Sequence, residues 1–136
     1  MLKTILNKKA EGYIDICVGV VAFVMVLVIA INIFSFITLK AQMDQIAEEL
    51  ISAATYSGGF DSRFDTCCTD MQEDYFDFDV DYGADSYFNA TYERVQLGQR
   101  MWVTVSVQTH VKGLGVFKIP VTVSVTRSGL SEKYWK

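Results

Sequence analysis

Three hydrophobic patterns follow one another along this 136-residue chain, and each predicts a different element. From Ile16 to Leu39 run twenty-four residues without a charged side chain, interrupted only by the polar Asn32, Ser35 and Thr38. A helix needs about 20 apolar residues to cross a hydrocarbon core of roughly 30 Å. Leu, Ile, Phe and Val each favour the bilayer by a few tenths of a kcal/mol at helix centre, whereas a charge there costs ~2.5–3.5 kcal/mol. A domain this small has no interior wide enough to surround such a helix on every side. The run therefore predicts a single membrane span.

Beyond Lys40 the pattern becomes one-sided. Met43, Ile46, Ala47, Leu50, Ile51 and Ala54 recur at three- and four-residue steps, with Asp44, Gln45, Glu48, Glu49 and Ser52 on the opposite face. No Pro or Gly interrupts the segment until Gly58-Gly59, which supplies a stop. Ile14 to Tyr56 then reads as one helix of about 43 residues, roughly 65 Å long. Its outer half carries a stripe that needs a partner.

The third pattern has period two. Phe76, Phe78, Val80 and Tyr82 alternate with Asp77, Asp79 and Asp81; Met101, Val103, Val105, Val107 and Val111 alternate with Trp102, Thr104, Ser106, Gln108 and His110. Phe117, Ile119, Val121, Val123 and Val125 alternate with Lys118, Thr122, Ser124 and Thr126. Such alternation predicts half-buried strands. Gly113-Leu114-Gly115 joins the last two as a hairpin, and Leu97-Gly98-Gln99 joins a shorter strand over Tyr92–Gln96 to the second. Pro120 marks an edge strand, and residues 61–74 are read as a short helix. The fold class is α+β: a long N-terminal helix, half transmembrane and half exported, packed on a small antiparallel sheet.

Charge sets the direction of crossing. Lys3, Lys8 and Lys9 precede the span with no acid before Glu11, which places that end in the cytoplasm and the rest outside. A cleavable signal would have an apolar region of about 7–15 residues, shorter than this one, so the span is expected to remain as an anchor. Residues 61–93 hold ten acids against one base, Arg63, and this argues against nucleic acid or an anionic membrane surface as a partner of the exported part.

Little in the exported part points to chemistry. Asp77, Asp79 and Asp81 resemble the opening of a calcium loop, but Tyr82 and Phe88 stand where Gly and Glu are needed, so a solvated strand face is expected. Cys67 and Cys68 are adjacent, on the side of the membrane where disulfides persist. A strained ring between them, two free thiols and a bond to another chain all stay open. Their spacing does not suit zinc, and Cys17 reads as a small packing residue in the span. His110, the one histidine, has no evident nucleophile or orienting acid. Asn89-Ala90-Thr91 matches a glycosylation pattern that is common by chance, and Tyr134-Trp135-Lys136 is an aromatic tail expected to dock on its own sheet. No cofactor or metal is expected.

The N-terminus adds a resemblance. Lys8-Lys9-Ala10 followed by Glu11-Gly12-Tyr13-Ile14-Asp15 resembles the leader end and mature start of type IV pilin-like proteins. The resemblance implies cleavage between Ala10 and Glu11 by a prepilin peptidase, with Asp15 as the fifth-position acid that aids helix insertion into a filament core. A carboxylate so placed needs a cationic partner, such as a neighbouring subunit's new amine; as a plain anchor residue it would simply favour the positive helix end, by roughly 0.3–1 kcal/mol. The chain departs from the pattern in having Ala10 where Gly is preferred and Asp15 where Glu is usual. Cleavage after Gly12 would make Asp15 third.

EGYIDICV before the span, the stalk helix and the ending SGLSEKYWK also look like a bacterial family with a domain of unknown function, DUF4320, similar in layout to TadE-like minor pseudopilins of tight-adherence systems. Residues 1–10 are then a cytoplasmic leader-like segment, 11–57 the transmembrane and stalk helix, and 58–136 the extracytoplasmic sheet domain. The function expected is that of a non-enzymatic pilin-like or pseudopilin subunit of a pilus or secretion filament. Its partners would be the lipid bilayer and other pilin-like subunits or assembly proteins. The alternative is a permanently anchored binding or assembly module of a cell-surface or conjugation apparatus. An anchored enzyme ranks third.

Overall fold

The computed structural model describes residues 2–113 and 117–136, with side chains for 12–111 and 118–136. Among these run α1 (Leu2–Ser57), α2 (Ser62–Asp74), β1 (Asp79–Ala84), a 3-10 turn (Ala90–Tyr92), β2 (Arg100–Gly113) and β3 (Phe117–Leu130). Helix α1 begins at Leu2 rather than Ile14, because the residues between contain no Pro and only one Gly to oppose it. The expected hairpin turn continues past Gly113 into Leu114-Gly115, which lie outside the described residues.

Two compact units divide the chain. One joins Met1–Phe36 with Val111–Ile119, the other Ile37–His110 with Pro120–Lys136. In the first, α1 is long and apolar enough to cross a membrane, and none of its most apolar stretch is buried. Two of its polar residues, Asn32 and Ser35, turn inward on their own helix. Asn32 Nδ2 donates to the Val28 carbonyl at 2.8 Å and Ser35 Oγ to the Ile31 carbonyl at 3.0 Å. In lipid this matters, because an unpaired polar group there costs several kcal/mol.

The second unit is built on the one-sided half of α1. All six residues of the expected stripe are buried: Met43, Ile46, Ala47, Leu50, Ile51 and Ala54. They share a core with Phe78, with Met101, Val103 and Val105 of β2, and with Val125 of β3. The sheet has the order β1-β2-β3, and β1 pairs with β2 antiparallel, Val80 opposite Val105 and Tyr82 opposite Val103. Pro120 lies exposed on the edge strand β3, the kind of strand that tolerates a residue without an N–H. One adjustment concerns the acidic face of α1. Asp44 and Glu48, one turn apart, lie at 3.0 and 3.8 Å from the Arg127 guanidinium of β3, an exposed pairing that contributes at most about 1 kcal/mol.

Helix α2 forms where a short helix was expected. Asp61 caps it, its Oδ1 accepting from the backbone N–H groups of Arg63 and Phe64. Phe64 enters the core in edge contact with Phe60 and Tyr82, ring centroids 5.1 Å from each. At the far end the Tyr75 N–H donates to the Met71 carbonyl, so the chain reaches the ladder only at Asp79 and not at residue 75. The alternation survives that shift: Phe78 is buried while Asp77, Asp79 and Asp81 face solvent.

The short strand expected over Tyr92–Gln96 is not formed. Asn89 Oδ1 accepts from the Thr91 and Tyr92 N–H groups at 3.0 and 3.3 Å, which coils the chain into the 3-10 turn. Glu93 follows with φ 49°, a left-handed conformation incompatible with a strand. Arg94 then makes only isolated bridges, to Gly59 and Asn89.

Because Leu50 is wholly buried and Gln45 exposed, Leu50→Ala should lower the unfolding free energy by about 2–5 kcal/mol, and Gln45→Ala should change it by less than ~0.5 kcal/mol. Denaturant titration of the detergent-solubilised chain, followed by circular dichroism, measures both.

Candidate functional site

Three places carry residues singled out by sequence or by geometry: the N-terminal end of α1, the cysteine pair and the C-terminal tail. Ala10 and Glu11 lie on α1, and their side chains are outside those described. Asp15 is exposed on the same helix and makes no ion pair among the described residues. Its surroundings are apolar and equally exposed, Tyr13, Ile14, Ile16 and Val18. Cys17 is a free, exposed thiol beside Val18, Val21, Ala22 and Met25.

Cys67 and Cys68 lie on α2 as two free thiols. Neighbouring positions on a helix point about 100° apart, and both are half-buried against the margin of the core. Burial, with Glu49 and Asp70 adding repulsion, raises the Cys67 thiol; burial, then Cys67 and Asp65, pushes Cys68 up to about 11. Such an acidic, apolar setting keeps thiols protonated and unreactive, the reverse of a redox or nucleophilic cysteine.

The remaining sequence candidates stay apart. His110 is exposed on β2 and makes no hydrogen bond or ion pair among the described residues. Asn89 spends its side-chain oxygen on the 3-10 turn. No group of three or more His, Cys, Asp or Glu converges to hold a metal among the described residues.

Sequence reasoning missed the best-built polar site, which forms where the tail meets the end of α1. Ala54 O accepts from the N–H groups of Gly58 and Gly59 at 2.9 and 3.1 Å, and Thr55 O from the Glu132 N–H at 3.0 Å. Carbonyls left open by a helix end are thereby satisfied. Gly58 has φ +73°, and a Cβ on it would stand 2.5 Å from Lys133 Cβ and 3.1 Å from Trp135 Nε1. The tail was expected to dock on its own sheet, and Trp135 instead meets residues outside the strands. It docks on this turn, its Nε1 within 3.1 Å of both Gly58 O and Val95 O. Gln96 holds the Trp135 backbone from both sides, Oε1 accepting its N–H at 2.8 Å and Nε2 donating to its carbonyl at 2.9 Å. Ser131, buried, donates to Val95 O at 2.9 Å. Tyr134 points outward, 64 % exposed.

Arg94 completes the place. Its guanidinium carbon stands 4.4 Å from the Trp135 ring centroid and 5.1 Å from that of Tyr92. Ser57, Gly59, Asp61, Tyr92, Arg94 and Trp135 line a cleft of about 140 Å³. Gly-Gly, an aromatic tail and an isolated Arg were separate facts in the sequence; nothing in their spacing brings residues 58, 94 and 135 together.

The family model of a domain of unknown function, DUF4320, matches residues 20–136. The chain belongs to the DUF4320 family. The match starts inside the apolar run, so it covers the stalk half of α1, α2, the sheet and the tail cleft of this DUF4320 protein, whereas Ala10, Glu11 and Asp15 precede it. No curated protein and no solved structure matches the chain.

Two outcomes follow from this geometry. Gly98 also has positive φ, +79°, but open space where its Cβ would be; Gly58→Ala should therefore cost about 1–3 kcal/mol and exceed Gly98→Ala, the difference measuring how closely the tail packs. Thermal melts of the two variants check it. For Cys68, a rise from 9.0 to about 11 leaves ~100-fold less thiolate near neutral pH than an ordinary cysteine has. Its alkylation in the folded protein should be slow by that order. Since the folded value lies above the unfolded one, this burial stabilises the fold below about pH 9, and the contribution is lost as pH rises towards 11.

Proposed function

We propose that this chain is a non-enzymatic pilin-like subunit of a pilus or secretion filament, anchored by one membrane span with its N-terminus in the cytoplasm and residues beyond about Lys40 outside. The observation that carries the reading is the change of surface along a single helix: α1 is uncharged on all sides from Ile16 to Leu39 and one-sided from Met43 to Ala54, where it holds a sheet. A helix of that kind has two distinct surfaces to bury. One suits lipid, or other helices like it once subunits assemble; the other is met by its own sheet.

Lys3, Lys8 and Lys9 before the span favour the cytoplasmic side for that end. The leader-like arrangement around Ala10 and Glu11, with Asp15 next, supports processing by a prepilin peptidase followed by assembly through Asp15. An exposed carboxylate on an apolar helix surface is expensive in hydrocarbon. Pairing with the amine freed on a neighbouring subunit offsets that cost, and this gives Asp15 a role only in an assembled state.

A second reading has one observation in its favour. The family match begins at residue 20, beyond Ala10, Glu11 and Asp15, which suits a permanently anchored binding or assembly module with no cleavage. The two part on the mature N-terminus. Mass spectrometry of the protein from cells with an active prepilin peptidase should find a chain beginning at Glu11, and Asp15→Ala should abolish its incorporation into filaments. An intact Met1 end together with a tolerated Asp15→Asn substitution would leave the anchored module in its place.

A further inference from the structure

The cleft at the end of α1 presents two opposite charges that do not neutralise each other. Among the described residues the ion pairs all involve Arg127, so Arg94 and Asp61 line one small space without meeting. Arg94 is half-buried, its guanidinium carbon lies 4.4 Å from the Trp135 ring centroid and 5.1 Å from that of Tyr92, and its side chain makes no hydrogen bond among the described residues. With no hydrogen bond of its own among the described residues, this guanidinium has its N–H fork free to take a carboxylate with two parallel bonds.

Asp61 is likewise half committed. Its Oδ1 accepts from Arg63 N–H at 3.1 Å and Phe64 N–H at 3.4 Å, which fixes the carboxylate at the start of α2 and leaves Oδ2 without a partner among the described residues. Ser57 Oγ is already within 2.9 Å of Gly59 O, so it contributes a wall and no uncommitted donor. With about 140 Å³ of space, the cleft is below the usual size for a drug-like ligand, ~300–1,000 Å³.

We propose that this cleft binds a small zwitterion of the α-amino acid class, its carboxylate on the Arg94 fork and its ammonium on Asp61 Oδ2, with a short side chain against Tyr92 and Trp135. A simple carboxylate meets repulsion from Asp61, and a simple amine meets Arg94. Only a ligand bearing both charges answers both walls. The inference goes beyond the filament reading and does not depend on it, because every residue involved lies in the second compact unit.

The test uses full-length protein in detergent micelles and equilibrium dialysis of radiolabelled L-alanine, with propionate as the ligand that lacks the ammonium. The wild type should bind alanine saturably, below about 10 mM, and propionate more weakly. Arg94→Gln should weaken both by ~10-fold or more. Asp61→Asn keeps a good helix cap and removes only the charge, so it should weaken alanine by ~10-fold while strengthening propionate. That opposite response is what a merely structural Asp61 would not produce. Absence of saturable alanine binding in the folded wild type overturns the proposal, as does an Asp61→Asn variant with unchanged alanine affinity. Self-association of the wild type that disappears in Arg94→Gln, without alanine binding, would assign the guanidinium to a carboxylate of a second copy and equally overturn it.

Discussion

Everything in this molecule hangs on the backbone of α1. A helix satisfies its own N–H and C=O groups along its length, so the same element can carry two different surfaces. From Ile16 to Leu39 the surface carries no charge, and Asn32 and Ser35 return their donors to the helix itself. From Met43 on, the surface is divided, and the apolar side is covered by Met101, Val103, Val105 and Val125. Without tertiary packing, the two strand pairings of so small a sheet would be marginal in water. Packed on the stripe, they share one core.

The end of α1 is built with equal economy of parts. Its last carbonyls are met by the turn that follows and by the tail, and the tail in turn is fixed by Gln96, Gly58 and Val95. The conformation of Gly58 is therefore coupled to where Trp135 lies, and Trp135 to where the Arg94 guanidinium lies. A cleft lined by Arg94 and Asp61 results from segments far apart in sequence, converging on one helix terminus.

How much of this could be read beforehand follows from the range of the interactions. The stripe from Met43 to Ala54 and the alternations of β2 and β3 are periodic and local; the structure buries the whole stripe, Met101, Val103 and Val105 of β2 and Val125 of β3, while Ile119 of β3 stays exposed. The capped helix α2 rests on local chemistry at Asp61 and formed as expected. Tyr92–Gln96 misled because its composition suits a strand while Asn89 and Glu93 bend the backbone out of one. The start of β1 slipped because the Tyr75 amide is taken by α2. The tail cleft was invisible, since no periodicity connects Ser57, Arg94 and Trp135. DUF4320 membership, by contrast, was read from EGYIDICV, the stalk helix and the ending SGLSEKYWK, of which the first precedes the matched residues 20–136.

On the proposed reading, α1 passes from lipid to water near Lys40 without changing conformation. Spin labels placed one at a time at positions 18–56 of a cysteine-free variant in lipid bilayers test it directly, through accessibility to oxygen and to a water-soluble nickel reagent. Labels from 18 to 37 should be reached by oxygen and shielded from nickel; from 41 to 56 nickel access should oscillate with a period of about 3.6 residues, lowest at Met43, Ile46, Leu50 and Ala54. Nickel access at all faces between 18 and 37 would contradict the account.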